Sequence, residues 1–359
     1  MTEPRIIALD VMGGDHGPSV TVPGAALAAE RHPNVSFLLC GDEAKIAPHL
    51  AAAAALAGRA TIRHTDQVVA MDAKPSQVLR RGRGSSMGLA LEAVRENQAD
   101  FAVSAGNTGA LMALSMLMLR TMDGIDRPAL VAQWPTVHRP SIVLDVGANI
   151  GASARELCDF ALMGAAMARA LFDIERPTVG LLNVGVEEIK GVEEVKTAHG
   201  WLKDAGLDID YRGFVEGDQI GQGIVDVVVV EGFAGNIALK TAEGTAKQIA
   251  TYLREAMTSS LSAKVGALLA RGGFMSLKHR MDPRRVNGGT FLGLKGISIK
   301  SHGGTDPYGF ASAIEVGYQM AKSGIVARLD ADLQSFHGKL DAIVEEARVE
   351  EARVRATKG

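Results

Sequence analysis

Six glycine-bearing turns constrain the fold of this chain most strongly, because most of them follow a short apolar strand-like run and lead into a helix-like stretch. The turns read Asp10-Val-Met-Gly-Gly-Asp15, Ser104-Ala-Gly-Asn-Thr-Gly109, Leu144-Asp-Val-Gly-Ala-Asn149, Asn183-Val-Gly185, Glu231-Gly-Phe-Ala-Gly-Asn236 and Ser301-His-Gly-Gly304. Such turns collect backbone N–H groups and helix N-termini, which suits the binding of phosphate or another oxyanion. We therefore expect the six turns to surround one crevice.

Strand-like and helix-like segments alternate from the first run, Arg5–Val11, to a strand at Gly296–Lys300. This alternation predicts an α/β fold: a three-layer, Rossmann-like α/β/α arrangement whose mostly parallel sheet is covered by helices on both faces. We predict one large domain of two joined lobes over residues 1–325. Apolar residues spaced by threes and fours then predict a C-terminal amphipathic helix at 326–359, which suits packing or dimerisation.

Charge and cysteine content narrow the function classes. The 359 residues carry a net charge of −3, which does not favour nucleic acid as a partner. Only Cys40 and Cys158 are present, and they offer neither metal-ligand spacing nor a disulfide framework, so we expect a reducing compartment. An early first strand leaves no room for a signal peptide, and no apolar run is long enough to span a bilayer. These features predict a cytoplasmic protein.

An amphipathic segment follows the fifth turn. Apolar residues recur every four positions at Ile249, Leu253, Met257, Leu261 and Val265. Residues 264–285 contain six Lys and Arg side chains and one acidic side chain. We interpret 249–285 as a helical hairpin that suits an anionic membrane surface or an acidic protein, with a dimer-core element as the alternative. The predicted contact residues are Leu261, Lys264, Leu268, Arg271, Phe274, Lys278, Arg280, Arg284 and Arg285.

Lys190 is the leading candidate for a catalytic cation. It lies beyond the end of a buried strand, where ligands bind in open α/β sheets, and Asn183 and Gly185 precede it in the same turn. The alternative is that Lys190 pairs with Glu187 on the surface.

Short polar side chains accompany three other turns. Ser104, Asn107 and Thr108 can donate to an anion at a helix start, or Asn107 and Thr108 can simply cap that helix. Asn149 and Asn236 close two further glycine turns and present the same choice. Three asparagines at three strand ends favour a pocket over three unrelated caps.

The first and last turns contribute acids and a histidine. Asp10 and Asp15 flank Gly13 and Gly14, and they either orient the turn amides, accept a proton, or serve only as turn aspartates. His302 follows a strand and precedes two glycines, so it is either a donor to an oxyanion or an ordinary loop histidine.

Three common catalytic motifs are missing from the sequence: the P-loop, a G-x-G-x-x-G after the first strand, and the G-x-S-x-G elbow. The histidines are too scattered for a local metal site. We therefore predict no cofactor and no metal.

The ordered set of turns resembles the bacterial acyl-carrier-protein:phosphate acyltransferase family. The resemblance rests on Leu9-Asp-Val-Met-Gly-Gly-Asp-His-Gly-Pro18, Ser104-Ala-Gly-Asn-Thr-Gly-Ala-Leu111, Arg127-Pro-Ala129, Leu144-Asp-Val-Gly-Ala-Asn149, Gly180-Leu-Leu-Asn-Val-Gly185, Glu188-Ile-Lys-Gly191, Glu231-Gly-Phe-Ala-Gly-Asn236 with Leu239-Lys240, and Ser301-His-Gly303. Two positions depart from the family pattern, with Glu231 in place of Asp and Gly151 in place of a longer polar residue.

The resemblance implies a homodimer with a fold like the isocitrate and isopropylmalate dehydrogenases and the phosphotransacetylases. It implies that long-chain acyl-ACP (acyl carrier protein) and inorganic phosphate give acyl phosphate and ACP, for phosphatidic acid synthesis. It also implies peripheral association with the inner face of the cell membrane, through the hairpin at 249–285.

A mechanism without a covalent intermediate fits these residues, because a phosphate oxygen is already a nucleophile at neutral pH. We expect Lys190 and Asn183 to meet phosphate and transition-state charge, His302 to donate near the reacting carbonyl, and Asp10 and Asp15 to orient the loops. The acyl chain needs an apolar groove along Leu111–Leu119 or the 249–281 stripe. Acidic ACP could dock on Arg80–Arg83 or on the hairpin.

Two other functions are compatible with parts of the sequence. A metal- and nicotinamide-dependent hydroxyacid dehydrogenase would keep the fold, but it needs a late pair of aspartates that we do not find. A non-catalytic membrane adaptor would use the hairpin alone, and it leaves the six turns unexplained.

Overall fold

A single 11-stranded sheet organises the part of the chain that the structure describes, residues 3–280 and 282–357 of this computed structural model. The strands are β1 (Arg5–Asp10), β2 (Val35–Gly41), β3 (Ala60–His64), β4 (Phe101–Ser104), β5 (Ala129–Trp134), β6 (Ser141–Leu144), β7 (Thr178–Leu182), β8 (Asp210–Val215), β9 (Val227–Val229), β10 (Gly289–Leu292) and β11 (Ile297–Lys300). Their order across the sheet is β3-β2-β1-β4-β11-β10-β5-β6-β9-β7-β8.

The described residues also contain twelve α-helices. They are α1 (Pro18–Arg31), α2 (Glu43–Ala51), α3 (Pro75–Arg81), α4 (Ser86–Arg95), α5 (Thr108–Leu119), α6 (Ala154–Phe172), α7 (Glu193–Asp204), α8 (Gly232–Thr258), α9 (Leu261–Leu269), α10 (Arg271–Arg280), α11 (Pro307–Ser323) and α12 (Ile325–Thr357).

The two halves of the sheet run in opposite directions. Strands β1 to β4 and β11 are mutually parallel, and so are β6, β7, β8 and β9. Between them, β10 is antiparallel to both β11 and β5, and β5 is antiparallel to β6. Three consecutive reversals leave β6 antiparallel to β11. The mostly parallel sheet predicted from the alternation is confirmed, and β10 is a strand that the sequence pattern did not predict.

Side chains on the strands alternate between two cores, as the pleat requires. Ile7 and Leu9 of β1 enter the main core with α1, α6 and α11, whereas Ala8 enters a second core with α4 and α5. In the other half of the sheet, Val228 of β9 faces a third cluster that includes α8. These cores confirm the predicted three-layer α/β/α arrangement.

The C-terminal helix α12 completes the main core. Leu329, Leu333, Phe336 and Leu340 are buried in it. His337 is also buried, and its Nε2 lies 2.7 Å from Oδ1 of Asp159 in α6. This part of the predicted segment 326–359 therefore packs against the preceding domain.

The predicted hairpin consists of α8, α9 and α10. Gly232 starts α8 directly at the fifth turn, and the helix continues for 27 residues to Thr258. None of the residues of α9 is buried. Within the described ranges, no helix is both long enough and apolar enough to cross a membrane. Met281 of the predicted segment lies outside the described residues.

Candidate active site

The six turns form two groups at opposite edges of the sheet. The turns at 10–15, 104–109 and 301–304 follow the neighbouring strands β1, β4 and β11, and we call them the first loop cluster. The turns at 144–149, 183–191 and 231–236 follow β6, β7 and β9 and form the second loop cluster. The nearest strands of the two groups, β11 and β6, are three interstrand spacings of roughly 4.8 Å apart, or about 14 Å, and they run in opposite directions. The expectation that one crevice of one chain holds all six turns is therefore wrong.

Asp10 is the buried centre of the first loop cluster. Its Oδ2 accepts a hydrogen bond of 2.6 Å from the Ser104 hydroxyl, which in turn accepts the N–H of Gly106 at 3.0 Å. Burial raises the pKa of Asp10, while the hydrogen bond from the Ser104 hydroxyl opposes that rise. Asp10 and Ser104 thus orient the turns from beneath, which is one of the roles predicted for Asp10.

Gly13 and Gly14 allow these turns to approach one another closely. The N–H of Asp15 donates to the carbonyl of Gly303 at 3.0 Å. A Cβ on Gly13 would lie 2.6 Å from Oδ2 of Asp10, and one on Gly14, where φ is +86°, would lie 2.9 Å from the Gly303 oxygen. A side chain at either position would separate the loops.

His302 presents its ring at the surface of the first loop cluster. Its Nδ1 accepts the N–H of Gly304 at 3.2 Å, and its own backbone N–H donates to Oδ1 of Asn287 at 3.0 Å. Because Nδ1 accepts, the proton of the neutral ring resides on Nε2. The ring therefore offers an N–H donor toward solvent, where an anion can meet it. Asp15, for which the sequence left open a role as proton acceptor in catalysis, is also exposed.

Asn107 is a structural cap. Its Oδ1 accepts the N–H of Ala110 at 2.8 Å as the N-cap of α5, and its Nδ2 donates to the carbonyls of Met71 and Ala73 at 2.5 and 3.5 Å. These bonds occupy the side-chain amide, so the capping alternative describes Asn107 better than direct substrate binding. Thr108 begins the same helix and is exposed.

The second loop cluster is built around Asp145. This carboxylate accepts the N–H groups of Leu130, Gly147, Ala148 and Asn149 at 2.7–3.1 Å. Burial raises the pKa of Asp145, and these four N–H donors lower it. Asn149 is buried beside it and donates to the carbonyl of Pro128 at 3.0 Å. Asn149 therefore shapes the turn from inside, as an internal support.

The two departures from the family pattern meet at this cluster. Glu231 caps α8, with Oε1 accepting the N–H of Ala234 at 2.7 Å, and its Oε2 accepts the N–H of Gly151 at 3.0 Å. The longer side chain of Glu231, compared with Asp, thus reaches the backbone N–H of Gly151, the second departing position. Asn236, on the first turn of the same helix, is exposed and donates to the carbonyl of Val146 at 3.1 Å.

Lys190 sits at the end of a loop that Asn183 closes. The Asn183 Nδ2 donates to the carbonyl of Lys190 at 3.1 Å, while Gly185 is buried within the loop. The Lys190 side chain is exposed, and in the described part of the chain it makes no ion pair with Glu187. The alternative of a surface pair with Glu187 is not what the structure contains. Asn183 positions the loop through its hydrogen bond to the Lys190 carbonyl, and the Lys190 side chain is exposed to solvent.

Sequence reasoning missed Lys300 in the first loop cluster. It is the last residue of β11, and its Nζ donates to the carbonyls of Ala105, at 3.4 Å, and of Ser301. Burial lowers the pKa of Lys300 to about 8, against the opposing charges of Asp10 and Asp15. A lysine that ends an otherwise apolar strand just before the sixth turn was the available signal.

The hairpin exposes both apolar and basic groups. Leu261 is 82% exposed and Leu268 is 68% exposed. Lys264, Arg271 and Arg285 are exposed as well, whereas Phe274 is half-buried. The side chains of Lys278 and Arg280 lie outside the described residues.

Arg284 differs from the other predicted contact residues. Its guanidinium contacts Asp282 at 2.5 Å and Asp306 at 2.7 Å, and it lies over the ring of Tyr308. Two carboxylates therefore already neutralise this cation. Arg284 fastens the segment after α10 to the start of α11, and the prediction that it contacts lipid or ACP has no support from these contacts.

The fold and the two clusters define a class: an α/β protein with oxyanion-suited loops at strand ends. A family model described as fatty acid synthesis protein matches residues 6–328. The chain belongs to this family, whose similar members include named phosphate acyltransferases. That of Sinorhizobium fredii is 62% identical over 334 residues, covering 92% of this chain and 96% of the relative. That of Agrobacterium fabrum is 61% identical over 335 residues, covering 93% and 95%.

Solved structures of low sequence identity share the fold. A phosphotransacetylase from Streptococcus pyogenes aligns with a TM-score of 0.59 at 17% identity, covering 89% of this chain and 94% of the other. A branched-chain phosphotransacylase from Enterococcus faecalis aligns with a TM-score of 0.55 at 12% identity, covering 88% and 99%. These likenesses support the α/β fold.

Proposed function

We propose that this protein is an acyltransferase that converts long-chain acyl-ACP and inorganic phosphate into acyl phosphate and ACP. The observation that carries the proposal is the identity of about three residues in five with phosphate acyltransferases over nearly the whole chain. The product supplies phosphatidic acid and phospholipid synthesis.

The chemistry is a direct displacement. A phosphate oxygen attacks the thioester carbonyl carbon, the C–S bond breaks, and the thiolate leaves with ACP and takes a proton. The oxyanion that develops in between needs hydrogen-bond donors, each worth roughly 3–4 kcal/mol in the transition state. Lys190 and the Nε2–H of His302 are exposed donors of the two clusters. Asp15 is an exposed acid near His302, since both side chains would lie within 4 Å of a Cβ on Gly304.

The separation of the clusters supports a homodimeric site. Lys190 follows β7, which lies five strand positions from β11, the nearest strand of the first cluster, and ends at the opposite edge of the sheet. One phosphate ion therefore does not contact both the first cluster and Lys190 of the same chain. In a two-fold symmetric dimer, the second cluster of one copy can lie against the first cluster of the other copy. The symmetry then repeats the same contact with the two copies exchanged. Each dimer then contains two complete sites.

ACP docks on a basic rim near the first cluster. Arg80 and Arg81 are exposed on α3 and border a cavity of about 680 Å³ that Ser85 also lines. The first residue of the same helix, Pro75, packs against Gly109 of the first loop cluster, since a Cβ on Gly109 would lie 3.4 Å from Cγ of Pro75. An acidic carrier on these arginines therefore lies beside the route to the first cluster, and charge steering favours the encounter.

The hairpin holds the enzyme at the inner face of the cell membrane. On α9, Leu261 and Leu268 present apolar area while Lys264 presents charge, which is the composition of a helix that lies in an anionic interface. The insoluble product is thereby released at the surface where it is used.

The activity is tested by incubating the protein with palmitoyl-ACP, with and without phosphate. Free ACP is measured by mass spectrometry, and acyl phosphate is trapped with hydroxylamine. We expect both products only when phosphate is present. ACP release at the same rate without phosphate would show a thioesterase, and a burst of one ACP per subunit without phosphate would show an acyl-enzyme.

A further inference from the structure

Lys300 brings a half-buried positive charge to the first loop cluster. As the last residue of β11 it pairs in register with Ser104 of β4, so it lies level with the ends of two central strands. Its ammonium donates to the carbonyls of Ala105 and Ser301, which belong to two different turns of the cluster. Both acceptors are neutral, so these bonds leave the net charge of the lysine in place.

Two carboxylates surround this ammonium. Asp10 is fully buried on β1, and Asp15 lies on the turn that follows; the charges of both act on Lys300. Their Gly13–Gly14 link packs against Ala105 and Gly303. An oxyanion bound by these turn amides would therefore approach two acids, and like charges repel at such short range.

We propose that Lys300 is a positioning residue for an anion site in the first loop cluster: its ammonium fastens the turns at Ala105 and Ser301 and offsets the charges of Asp10 and Asp15, so that the turn amides can hold inorganic phosphate. This inference rests on the proposed function, because phosphate is its anion. The residue acts through the loops, since its described bonds are all to backbone.

A pH dependence follows from the same groups. The titratable groups facing the site are Asp10 and Asp15 beside the ammonium and His302 on the next turn. Burial lowers the pKa of Lys300 to about 8, so raising the pH through 8 removes its positive charge. Phosphate is mainly the dianion at these pH values and becomes more negative, not less, as the pH rises, so a fall in its affinity would report the loss of the lysine's proton. A bound anion has the opposite effect and favours the protonated form.

Phosphate binding by isothermal titration calorimetry tests the proposal, between about pH 7.5 and pH 9.5, in the full-length protein, Lys300→Met and Lys295→Met. Lys295 is a suitable control, because it lies just before β11 and pairs with Asp123 at the surface. We expect the wild-type affinity and that of Lys295→Met to fall about tenfold across this range. Lys300→Met should bind about tenfold more weakly at the lower pH and show no further fall.

Kinetics separate positioning from general stability. Lys300→Met should raise the KM for phosphate about tenfold and change the KM for acyl-ACP less than about twofold. If Lys300→Met fails to fold, a wild-type affinity that is constant through pH 8 overturns the proposal by itself. If Lys300→Met binds phosphate with the wild-type affinity and the wild-type pH profile, the inference about Lys300 is overturned and the proposed function is not. A wild type that binds no phosphate at pH 7.5 overturns the proposed function and the inference together.

Discussion

The side-chain amide of Asn183 donates a hydrogen bond to the carbonyl oxygen of Lys190, 3.1 Å away, and so closes the loop that carries the exposed ammonium. A Cβ on Gly191, where φ is +93°, would collide with the same amide. The lysine is thus held by its backbone, while its side chain stays available to a ligand.

Replacing this amide should loosen the loop. Asn183→Ala removes one hydrogen bond of about 1 kcal/mol, and we expect kcat to fall about tenfold while the melting temperature is nearly unchanged. Trypsin should also cut after Lys190 faster than in the wild type. Asn34→Ala, which removes an amide bonded to the backbone at Glu3, is the control. Unaltered kcat together with unaltered cleavage would contradict the positioning role.

The hairpin prediction concerns membrane binding. Leu261→Glu places a charge on an apolar surface of α9, so flotation with phosphatidylglycerol vesicles should drop at least about fivefold. Ile224→Glu makes the same change at an exposed apolar residue outside the hairpin and should float like the wild type. Equal flotation of all three proteins would argue against membrane insertion by α9.

The proposed docking of ACP on Arg80 and Arg81 predicts that acyl-ACP binding depends on charge. Arg80→Glu with Arg81→Glu should raise the KM for acyl-ACP about tenfold with little change in kcat, and added salt should shrink the difference. Arg328→Glu changes an exposed arginine on α12 and should leave the KM alone. A KM that does not respond to the double substitution would move the docking site away from α3.

Packing between helix and sheet gives a stability test. A Cβ on Gly164 of α6 would overlap Val227 and lie 2.6 Å from Cδ1 of Leu144. We expect Gly164→Ala to lower the free energy of unfolding by roughly 1–3 kcal/mol in urea titration. Gly200→Ala in α7 meets no atom within 4 Å and should raise it by about 0.5–1 kcal/mol. A stabilised Gly164→Ala would mean that α6 packs differently.

The sequence predicted strand and helix positions well, because most strands are short apolar runs that end at glycine turns. It did not predict β10 at Gly289–Leu292, a four-residue strand that reads like its loop surroundings. That strand, with β5, reverses half of the sheet. Without it, six strand ends would have shared one edge, as we expected.

Individual site residues show the same limit. The motif containing Asn107 gives equal support to a ligand and to a cap, and only the bonds to Ala110 and Met71 decide between them. Arg284 reads as one cation of a basic run until Asp306, 22 residues later, is placed beside it. Long-range partners of this kind leave no local pattern. Lys300 was overlooked because it ends an ordinary short strand, Ile297–Lys300, and no glycine turn includes it.

The central claim is that a complete site needs the first loop cluster of one copy and the second loop cluster of another. Lys190→Ala and His302→Ala should each lower kcat about 100-fold or more, since each removes a donor from every site. Co-expression with two different affinity tags yields the heterodimer of the two variants, in which one of two sites is intact. We expect about half of the wild-type activity from this purified heterodimer. Activity no higher than that of the single variants would contradict the shared site and would mean that both clusters of one chain act in the same site.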